Sequence, residues 1–190
     1  MTKEKRKKYW NYIWNGLFGL IILILLVPSW RIKFQSTIQR IFMSRVELKN
    51  ENNELKAVQN IDWIIYDSNF EQVNFNDFND KPIVLNFWAT WCPSCVAELP
   101  SLKMFSEEIK SDGKVICITT ESHETLKEWG SFETFKSLIY FAKRVPKEFD
   151  FNVYPTTFIL DNSSNILSKI EGAHEYNTSK NISFIKSLSQ

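Results

Sequence analysis

The chain has 190 residues, of which 44% are hydrophobic and 15% are aromatic. This length allows one folded domain with an appended segment, and the composition excludes a disordered chain. A formal net charge of +1 excludes a strongly basic surface for nucleic acid, and three cysteines are too few for a disulfide-stabilised scaffold.

The first 30 residues predict a membrane anchor. Residues 1–8 carry a basic cluster, whereas residues 9–30 contain no charge and place aromatic residues toward both ends. An uncharged stretch of this length spans a bilayer at ~1.5 Å per residue. A retained anchor is favoured over a cleaved signal peptide, because Pro28-Ser29-Trp30-Arg31 is a poor cleavage site. The basic cluster then predicts a cytoplasmic N-terminus and an extracytoplasmic remainder.

Residues 31–60 form a predicted linker with helical spacing of its apolar side chains between residues 32 and 42. The sequence leaves two interpretations of this segment open. The segment is either an amphipathic helix lying on the membrane surface or a helix packed on the folded domain. Asn50 to Asn53 are predicted to be a loop.

Residues 61–190 predict one α/β domain. The predicted strands are Trp63–Tyr66, Val73–Phe75, Pro82–Trp88, Lys114–Thr119, Ser137–Ala142, Thr156–Leu160 and Ile166–Ile170. The predicted helices are residues 92–111, the polar segment Glu121–Phe135 and Tyr176–Leu188. The strand–helix–strand order predicts a central parallel pair, and the first two and last two strands predict antiparallel hairpins. The fold class is therefore α/β, with a central mixed sheet flanked by helices.

The motif Trp91-Cys92-Pro93-Ser94-Cys95 joins a predicted buried strand to a helix. A cysteine at a helix N-terminus is stabilised as a thiolate by unpaired N–H groups and by the helix dipole, which predicts Cys92 as the nucleophile. Cys95 lies about one turn further on and is predicted to resolve the mixed disulfide.

A metal site is the alternative interpretation of a Cys-x-x-Cys pair. Two further ligands would be needed, and His123 and His174 stand in polar stretches where solvated histidines are expected. Cys117 stands mid-strand between two isoleucines, where burial as a small hydrophobic residue is expected. The context favours redox chemistry without a metal.

Two segments of the chain together resemble the thioredoxin superfamily. Val84–Pro100 reads V-L-N-F-W-A-T-W-C-P-S-C-V-A-E-L-P, and Val153–Phe158 reads V-Y-P-T-T-F. These resemble the active-site strand and helix and the cis-proline loop of that superfamily, closest to its membrane-anchored TlpA/ResA-like branch. The resemblance covers residues 62–188 and implies a thioredoxin-like fold.

The resemblance also implies roles for individual residues. It implies that Pro155 is cis and that Trp91, Tyr154 and Pro155 form a substrate-binding surface beside the cysteine pair. Glu98 matches a glutamate that tunes the thiols in the TlpA/ResA-like branch, so it is a candidate for proton transfer when Cys95 reacts. A solvated helix glutamate is the alternative for Glu98.

Two departures from the family pattern leave the direction of electron flow open. Asn86 stands where thioredoxin has a buried aspartate, and Pro93-Ser94 differs from the family's usual order, which places the proline just before the second cysteine. Residues between the cysteines influence the reduction potential. Pro100 matches the family's helix-kinking proline.

The predicted function is an extracytoplasmic thiol–disulfide oxidoreductase that reduces partner-protein disulfides through Cys92 and Cys95. The resemblance implies roles such as cytochrome c maturation, with no cofactor or metal besides the redox-active disulfide. The predicted partners are a disulfide-bearing protein substrate, a membrane electron donor of the thiol–disulfide type and the membrane itself, with no nucleic acid. Alternatives are a thiol peroxidase or disulfide-forming oxidant on the same fold, or a tethered, non-redox binding module or metal chaperone.

Overall fold

The computed structural model describes residues 3–50 and 61–189. The helices are Lys3–Leu26 (α1), Pro28–Phe42 (α2), Pro93–Ile109 (α3), His123–Glu128 (α4), Phe132–Phe135 (α5) and Ser179–Leu188 (α6). The strands are Ser44–Arg45 (β1), Ile64–Tyr66 (β2), Gln72–Asn74 (β3), Ile83–Phe87 (β4), Lys114–Thr119 (β5), Ile139–Phe141 (β6), Thr156–Leu160 (β7), Ile166–Glu171 (β8) and His174–Glu175 (β9). A 3-10 turn covers Phe75–Phe78. The predicted loop at Asn50 to Asn53 lies outside the described residues from position 51 onward.

Seven strands form a mixed sheet in the order β3-β2-β6-β5-β4-β7-β8. The central strand β4 runs parallel to β5 and antiparallel to β7, and all five of its residues are buried. The predicted parallel pair and both predicted hairpins are confirmed, because β2 pairs antiparallel with β3 and β7 pairs antiparallel with β8. Strands of this kind are continuous apolar runs because both of their faces are covered.

The helices confirm the predicted order but differ in extent. The polar segment predicted as one helical region is two short helices, α4 and α5, interrupted around Trp129. The closing helix begins at Ser179, where the Thr178 side chain accepts the N–H of Asn181 as an N-cap. Tyr176, predicted to lie inside that helix, precedes it and is fully buried.

Alternation along β4 and β5 divides the core into two parts. Val84 and Cys117 face a cluster that includes the buried side of α3, whereas Leu85 and Ile116 face a second cluster on the other side of the sheet. Successive side chains of a strand point to opposite faces, so neighbouring residues contribute to different clusters.

The N-terminal region contains two helices with a short junction. Pro28 pushes the preceding residue out of the helical region, and Val27 adopts an extended conformation (φ −93°, ψ 111°) that ends α1. A proline fits the first turn of the next helix, so α2 begins at once. Trp30, included in the predicted span of residues 9–30, therefore lies in α2. Among the described residues, α1 is the helix long and apolar enough to cross a membrane, over Lys8–Leu26.

The second helix packs on the domain, along α3. Ile32 and Gln35 are half-buried and Ser36 is buried on its packed side. The chain then forms β1, which pairs in parallel with β9. The structure thus shows α2 packed on the domain, whereas a contact of this helix with the membrane surface stays a prediction.

Candidate active site

Cys92 is the N-cap residue of α3. Its sulfur accepts the backbone N–H of Cys95 at 3.2 Å, and its own N–H donates to the carbonyl oxygen of Ala89. Pro93 takes the first helical turn, where a missing N–H costs no hydrogen bond. The motif thus places one cysteine sulfur against the unpaired N–H groups at the start of a 17-residue helix.

Cys92 and Cys95 are joined by a disulfide, with their Cα atoms 5.3 Å apart. Both are buried, and Cys92 is slightly more exposed (5% against 1%). The hydroxyl of Ser94 lies 3.2 Å from the Cys92 sulfur. This serine therefore lies within hydrogen-bond reach of the sulfur that the helix terminus favours as a thiolate.

Cys117 lies apart from this pair as a free, fully buried thiol. Burial raises the pKa of its thiol well above the ordinary value of 9.0, and the nearby Glu98 raises it further. A thiol held in the protonated form is a poor nucleophile. The expectation that Cys117 is a buried small residue is confirmed.

The loop before β7 lies beside the cysteine pair. The Tyr154–Pro155 peptide bond is cis, as predicted. Thr156 pairs with Phe87 at the end of β4, which brings the proline next to the loop that leads to Cys92. Trp91 is 60% exposed and meets Tyr154 edge-on at 5.7 Å between ring centroids. The three residues predicted to bind substrate therefore lie together beside the loop that leads to Cys92.

Glu98 is fully buried, so the alternative of a solvated helix glutamate is wrong. Its carboxylate accepts a hydrogen bond from the Asn86 side-chain amide at 3.0 Å and one from the His174 backbone N–H at 3.1 Å. Burial raises the pKa of Glu98 from 4.5 to about 8, and these hydrogen bonds lower it only in part. The group is therefore able to take up or release a proton near neutral pH.

A hydrogen-bonded cluster extends from Glu98 across the sheet. Asn86 also donates to the hydroxyl of Thr157 at 2.9 Å, and the Tyr176 hydroxyl donates to the same oxygen at 2.9 Å. Burial raises the pKa of Tyr176 well above its ordinary value. The cluster stays neutral around the glutamate, so Glu98 is its titrating member near neutral pH.

A second carboxylate fastens the loop in front of the cysteines. Glu121, which follows β5, accepts the backbone N–H and the hydroxyl of Thr90, both at 2.6 Å. It also accepts the hydroxyl of Thr119 at 3.2 Å. Thr90 lies two residues before Cys92, so these bonds hold the loop that leads to Cys92.

The two histidines, expected to be solvated, are both half-buried. The His174 ring contacts the Ser44 hydroxyl at 3.1 Å and the Glu171 carbonyl oxygen at 3.2 Å, and His123 is half-buried against Phe70. Over residues 3–50 and 61–189, no group of three His, Cys, Asp or Glu side chains is placed to hold a metal.

Four further parts of the site were not predicted from the sequence: Thr157, Tyr176, Glu121 and the backbone of His174. One sequence signal could have identified Thr157: it and Asn86 are polar residues inside apolar strand runs. Asn86 and Thr157 are register partners in the antiparallel pairing of β4 with β7, which joins strands far apart in the chain. No local sequence pattern predicts the role of Glu121, because that role depends on a contact between the loop after β4 and the loop after β5.

The fold and this site define a thioredoxin-fold protein with a Cys-x-x-Cys active site. StoA from Bacillus subtilis superposes with a TM-score of 0.54 and 20% identity, covering 71% of this chain and 100% of that one. A thioredoxin-family thiol:disulfide interchange protein from Chlorobium tepidum gives 0.56 and 19%, covering 72% and 99%. At these identities the likeness shows the fold.

The model of the AhpC/TSA family matches residues 52–169 of this chain. The chain belongs to this family. Among curated relatives, the thiol-disulfide oxidoreductase ResA of Bacillus subtilis is 26% identical over 116 residues, and the thioredoxin-like protein YneN of the same organism is 32% identical over 97 residues. These alignments cover 58% and 48% of this chain, and 64% and 56% of the relatives' own lengths. The chain is therefore a ResA-like member of the thioredoxin superfamily.

Proposed function

We propose that this protein is a membrane-tethered thiol–disulfide oxidoreductase that reduces disulfides in partner proteins. The observation that carries the proposal is the Cys92–Cys95 disulfide at the start of α3, beside the cis-Pro155 loop. ResA, to which the chain is similar, is named a thiol-disulfide oxidoreductase. The same chemistry is proposed for this chain.

The exchange takes two steps. In the reduced protein, the Cys92 thiolate attacks one sulfur of the substrate disulfide, forms a mixed disulfide and expels the first substrate thiolate. The Cys95 thiolate then attacks the Cys92 sulfur, expels the second substrate thiolate and closes the Cys92–Cys95 disulfide. Two electrons pass to the substrate, whose two thiolates each take up a proton.

The order of the cysteines follows from their positions. Cys92 accepts the Cys95 N–H and lies within reach of the Ser94 hydroxyl, and both donors stabilise a thiolate at Cys92. Cys95 lies deeper, where water and substrate have less access. Cys92 is therefore the attacking residue and Cys95 the resolving one.

Glu98 is the proposed proton carrier for the resolving step. The carboxyl lies one helical turn beyond Cys95, and its pKa of about 8 lets it exchange a proton near neutral pH. Its anionic form takes the proton of the Cys95 thiol when that thiol attacks, and returns it when the disulfide is reduced again.

The substrate surface is proposed to consist of Trp91, Tyr154 and Pro155. Trp91 is an exposed aromatic residue next to the nucleophile, and its edge contact with Tyr154 forms an apolar wall. An extended substrate segment is proposed to pair with the backbone at Tyr154, which would present its disulfide to Cys92.

The location is proposed to be extracytoplasmic, with α1 as the anchor. The apolar helix over Lys8–Leu26 and the basic residues before it support an N-terminus in the cytoplasm. An oxidising compartment would leave the pair as a disulfide, so a membrane donor of the thiol–disulfide type must re-reduce it. Keeping apocytochrome c cysteines reduced for haem attachment is the proposed role.

The decisive experiment is trapping of the mixed disulfide in cells. The Cys95→Ala variant should accumulate disulfide-linked partners that disappear on adding reductant, because the second step is blocked. A matched Cys92→Ala, Cys95→Ala double variant should trap nothing. Equal patterns from the two variants would contradict the exchange mechanism.

The direction of electron flow is tested separately by the reduction potential of the pair. A reductase should lie closer to the potential of thioredoxin, about −270 mV, than to that of the oxidant DsbA, about −120 mV. A value near the oxidant's would overturn the reductase direction while leaving disulfide exchange intact.

A further inference from the structure

An apolar stripe runs along the outer face of α2. Trp30, Phe34, Ile38 and Ile41 are 51%, 44%, 41% and 75% exposed. Residues three and four apart lie on one face of a helix, so these four side chains form a continuous row. The row spans about 16 Å at ~1.5 Å per residue.

Most of the stripe faces away from the side by which α2 packs on the domain, and Ile38 stands at the border between the two. Ile32, Gln35 and Ser36 are the half-buried and buried residues on the packed side. A helix of a soluble domain has one apolar face turned to the core and a polar face turned to water. This helix instead packs through Ile32, Gln35 and Ser36, and its longer apolar row is exposed.

Basic residues of α2 border the stripe, and this helix contains no acidic residue. Arg31 stands on one edge and Lys33 and Arg40 on the other, and all three are exposed. From residue 28 to residue 46 the chain contains no Asp or Glu, and Arg45 adds a fourth positive charge. An apolar row edged by cations is the pattern of a helix seated at the interface of an anionic membrane.

The stripe is also continuous with the proposed membrane anchor. Val27 alone separates α1 from α2, and the amides of Trp30 and Arg31 both donate to its carbonyl oxygen. The junction is thus a hydrogen-bonded turn and keeps the start of α2 at the end of the apolar helix. A second copy of this chain is a poor occupant, because two such helices would bring their basic edges together.

We propose that the outer face of α2, formed by Trp30, Phe34, Ile38 and Ile41, binds the surface of an anionic lipid bilayer. With the opposite face fixed on α3, the helix orients the domain on the membrane. Ile38 and Phe42 line a hollow of about 300 Å³ together with Ser94, which stands between the two cysteines. The bilayer contact therefore holds the disulfide at the membrane surface, where a membrane-embedded thiol donor can reach it.

This inference rests on the proposed anchoring by α1, and photocrosslinking tests both separately. The full chain is placed in vesicles of phosphatidylglycerol and phosphatidylcholine, with a benzophenone side chain at a single position. Position 38 reports on the stripe, position 20 reports on α1, and position 104, where Met104 is 51% exposed on α3, is the matched control. We expect lipid adducts at position 38 about tenfold above those at position 104.

The outcomes separate the two proposals. Adducts at position 20 with none above control at position 38 overturn the surface contact and leave the anchor intact. No lipid adduct at position 20 overturns the anchor. Adducts at position 38 to a protein, either a partner or a second copy, also overturn the lipid contact.

Charge reversal tests the anionic character of the surface. One variant reverses the edges of the stripe: Arg31→Glu, Lys33→Glu and Arg40→Glu. The matched variant reverses three exposed charges elsewhere: Lys143→Glu, Arg144→Glu and Lys147→Glu. The first should lower the lipid adduct at position 38 about tenfold and the second should leave it unchanged. An equal drop in both would show a response to overall charge and overturn the assignment to α2.

Disulfide exchange with a soluble substrate distinguishes this inference from the proposed function. Both charge-reversed variants keep the cysteine pair and its neighbours, so their exchange rates in detergent should equal that of the unchanged chain. If the unchanged chain shows no disulfide exchange but the lipid adducts at position 38 form, the redox function is refuted and the membrane contact is supported.

Discussion

The two faces of the central sheet have different compositions, although they share the same strands. On the α3 face, buried polar groups surround the end of the helix that carries the disulfide. On the opposite face, Trp63, Phe75, Phe87, Phe149 and Phe158 contact one another with ring centroids 5.0–6.4 Å apart. Adjacent residues of β4 thus contribute to opposite environments.

The difference separates stabilisation from chemistry. Aromatic rings bury large apolar areas and need few polar partners, and the Trp63 indole N–H has one in the Arg144 carbonyl oxygen at 2.9 Å. The α3 face buries a carboxyl group whose charged form is unfavourable there. The packing on the aromatic face offsets the cost of burying this carboxyl on the α3 face. Substitutions on the two faces should therefore affect stability and disulfide exchange in different ways.

The largest expected effect comes from Cys92, the proposed nucleophile. Cys92→Ser should lower disulfide exchange at least about a thousandfold, because a hydroxyl cannot replace the thiolate. Cys117→Ala is the matched control, and its rate per folded molecule should stay unchanged. The measurement is reduction of a model protein disulfide by the pre-reduced chain, and comparable losses in both variants would contradict the assignment.

The aromatic face should determine stability without affecting chemistry. Phe149→Ala removes a ring that contacts Trp63, Phe75, Phe87 and Phe158 and leaves a cavity. The expected loss in free energy of unfolding is about 3–5 kcal/mol, measured by denaturant titration. Exchange per folded molecule should be unaffected, and a large loss there would show that the two faces are coupled.

The buried carboxyl should make stability depend on pH. The folded-state pKa of Glu98, about 8, lies above its ordinary value of 4.5. Its contribution is therefore fully present below pH 4.5 and is lost as the pH rises through about 8. The oxidised protein should lose about 2 kcal/mol between about pH 6 and about pH 8 through this group.

Glu98→Gln should remove that part of the pH dependence. The glutamine oxygen can still accept the His174 N–H, and the side chain carries no titrating proton. Parallel stability curves for the two proteins over this range would refute the raised pKa. In exchange assays, the variant should also lose the inflection near pH 8 that the wild type shows.

The smallest expected effect concerns the loop before the cysteines. Glu121→Gln replaces a carboxylate that accepts two bonds from Thr90 with a weaker amide. The expected cost is about 1 kcal/mol, with faster hydrogen exchange at the amide of Thr90. Glu128→Gln, on the exposed side of α4, is the control. Equal protection of the Thr90 amide in both variants would show that Glu121 does not hold the loop.

Much of the fold follows from local patterns in the sequence. Pro82–Trp88 and Lys114–Thr119 are apolar runs of strand length separated by a helix, and β4 and β5 are where they predict. The cis bond at Pro155 and the buried state of Cys117 were also predictable, one from the resemblance and the other from its apolar neighbours. These features depend on residues close together in the chain.

The site was predictable only in part. Cys92 and Cys95 are marked by their spacing and by their position at a helix start. The environment of Glu98 depends on His174 in β9, which lies 76 residues further along the chain. Spacing from Cys95 cannot distinguish a solvated glutamate from a buried one. The same limit applies to Glu121, whose partner Thr90 belongs to a different loop.

The sequence by itself therefore determined the class of fold, the redox pair and the apolar N-terminal helix, because short-range periodicity and spacing encode them. Only the tertiary structure decided that α2 packs on α3 with an apolar stripe outward, and that Glu98 is buried with a pKa of about 8. Burial and pKa depend on which distant elements close around a side chain. That arrangement is a property of the assembled sheet and helices, not of any one segment.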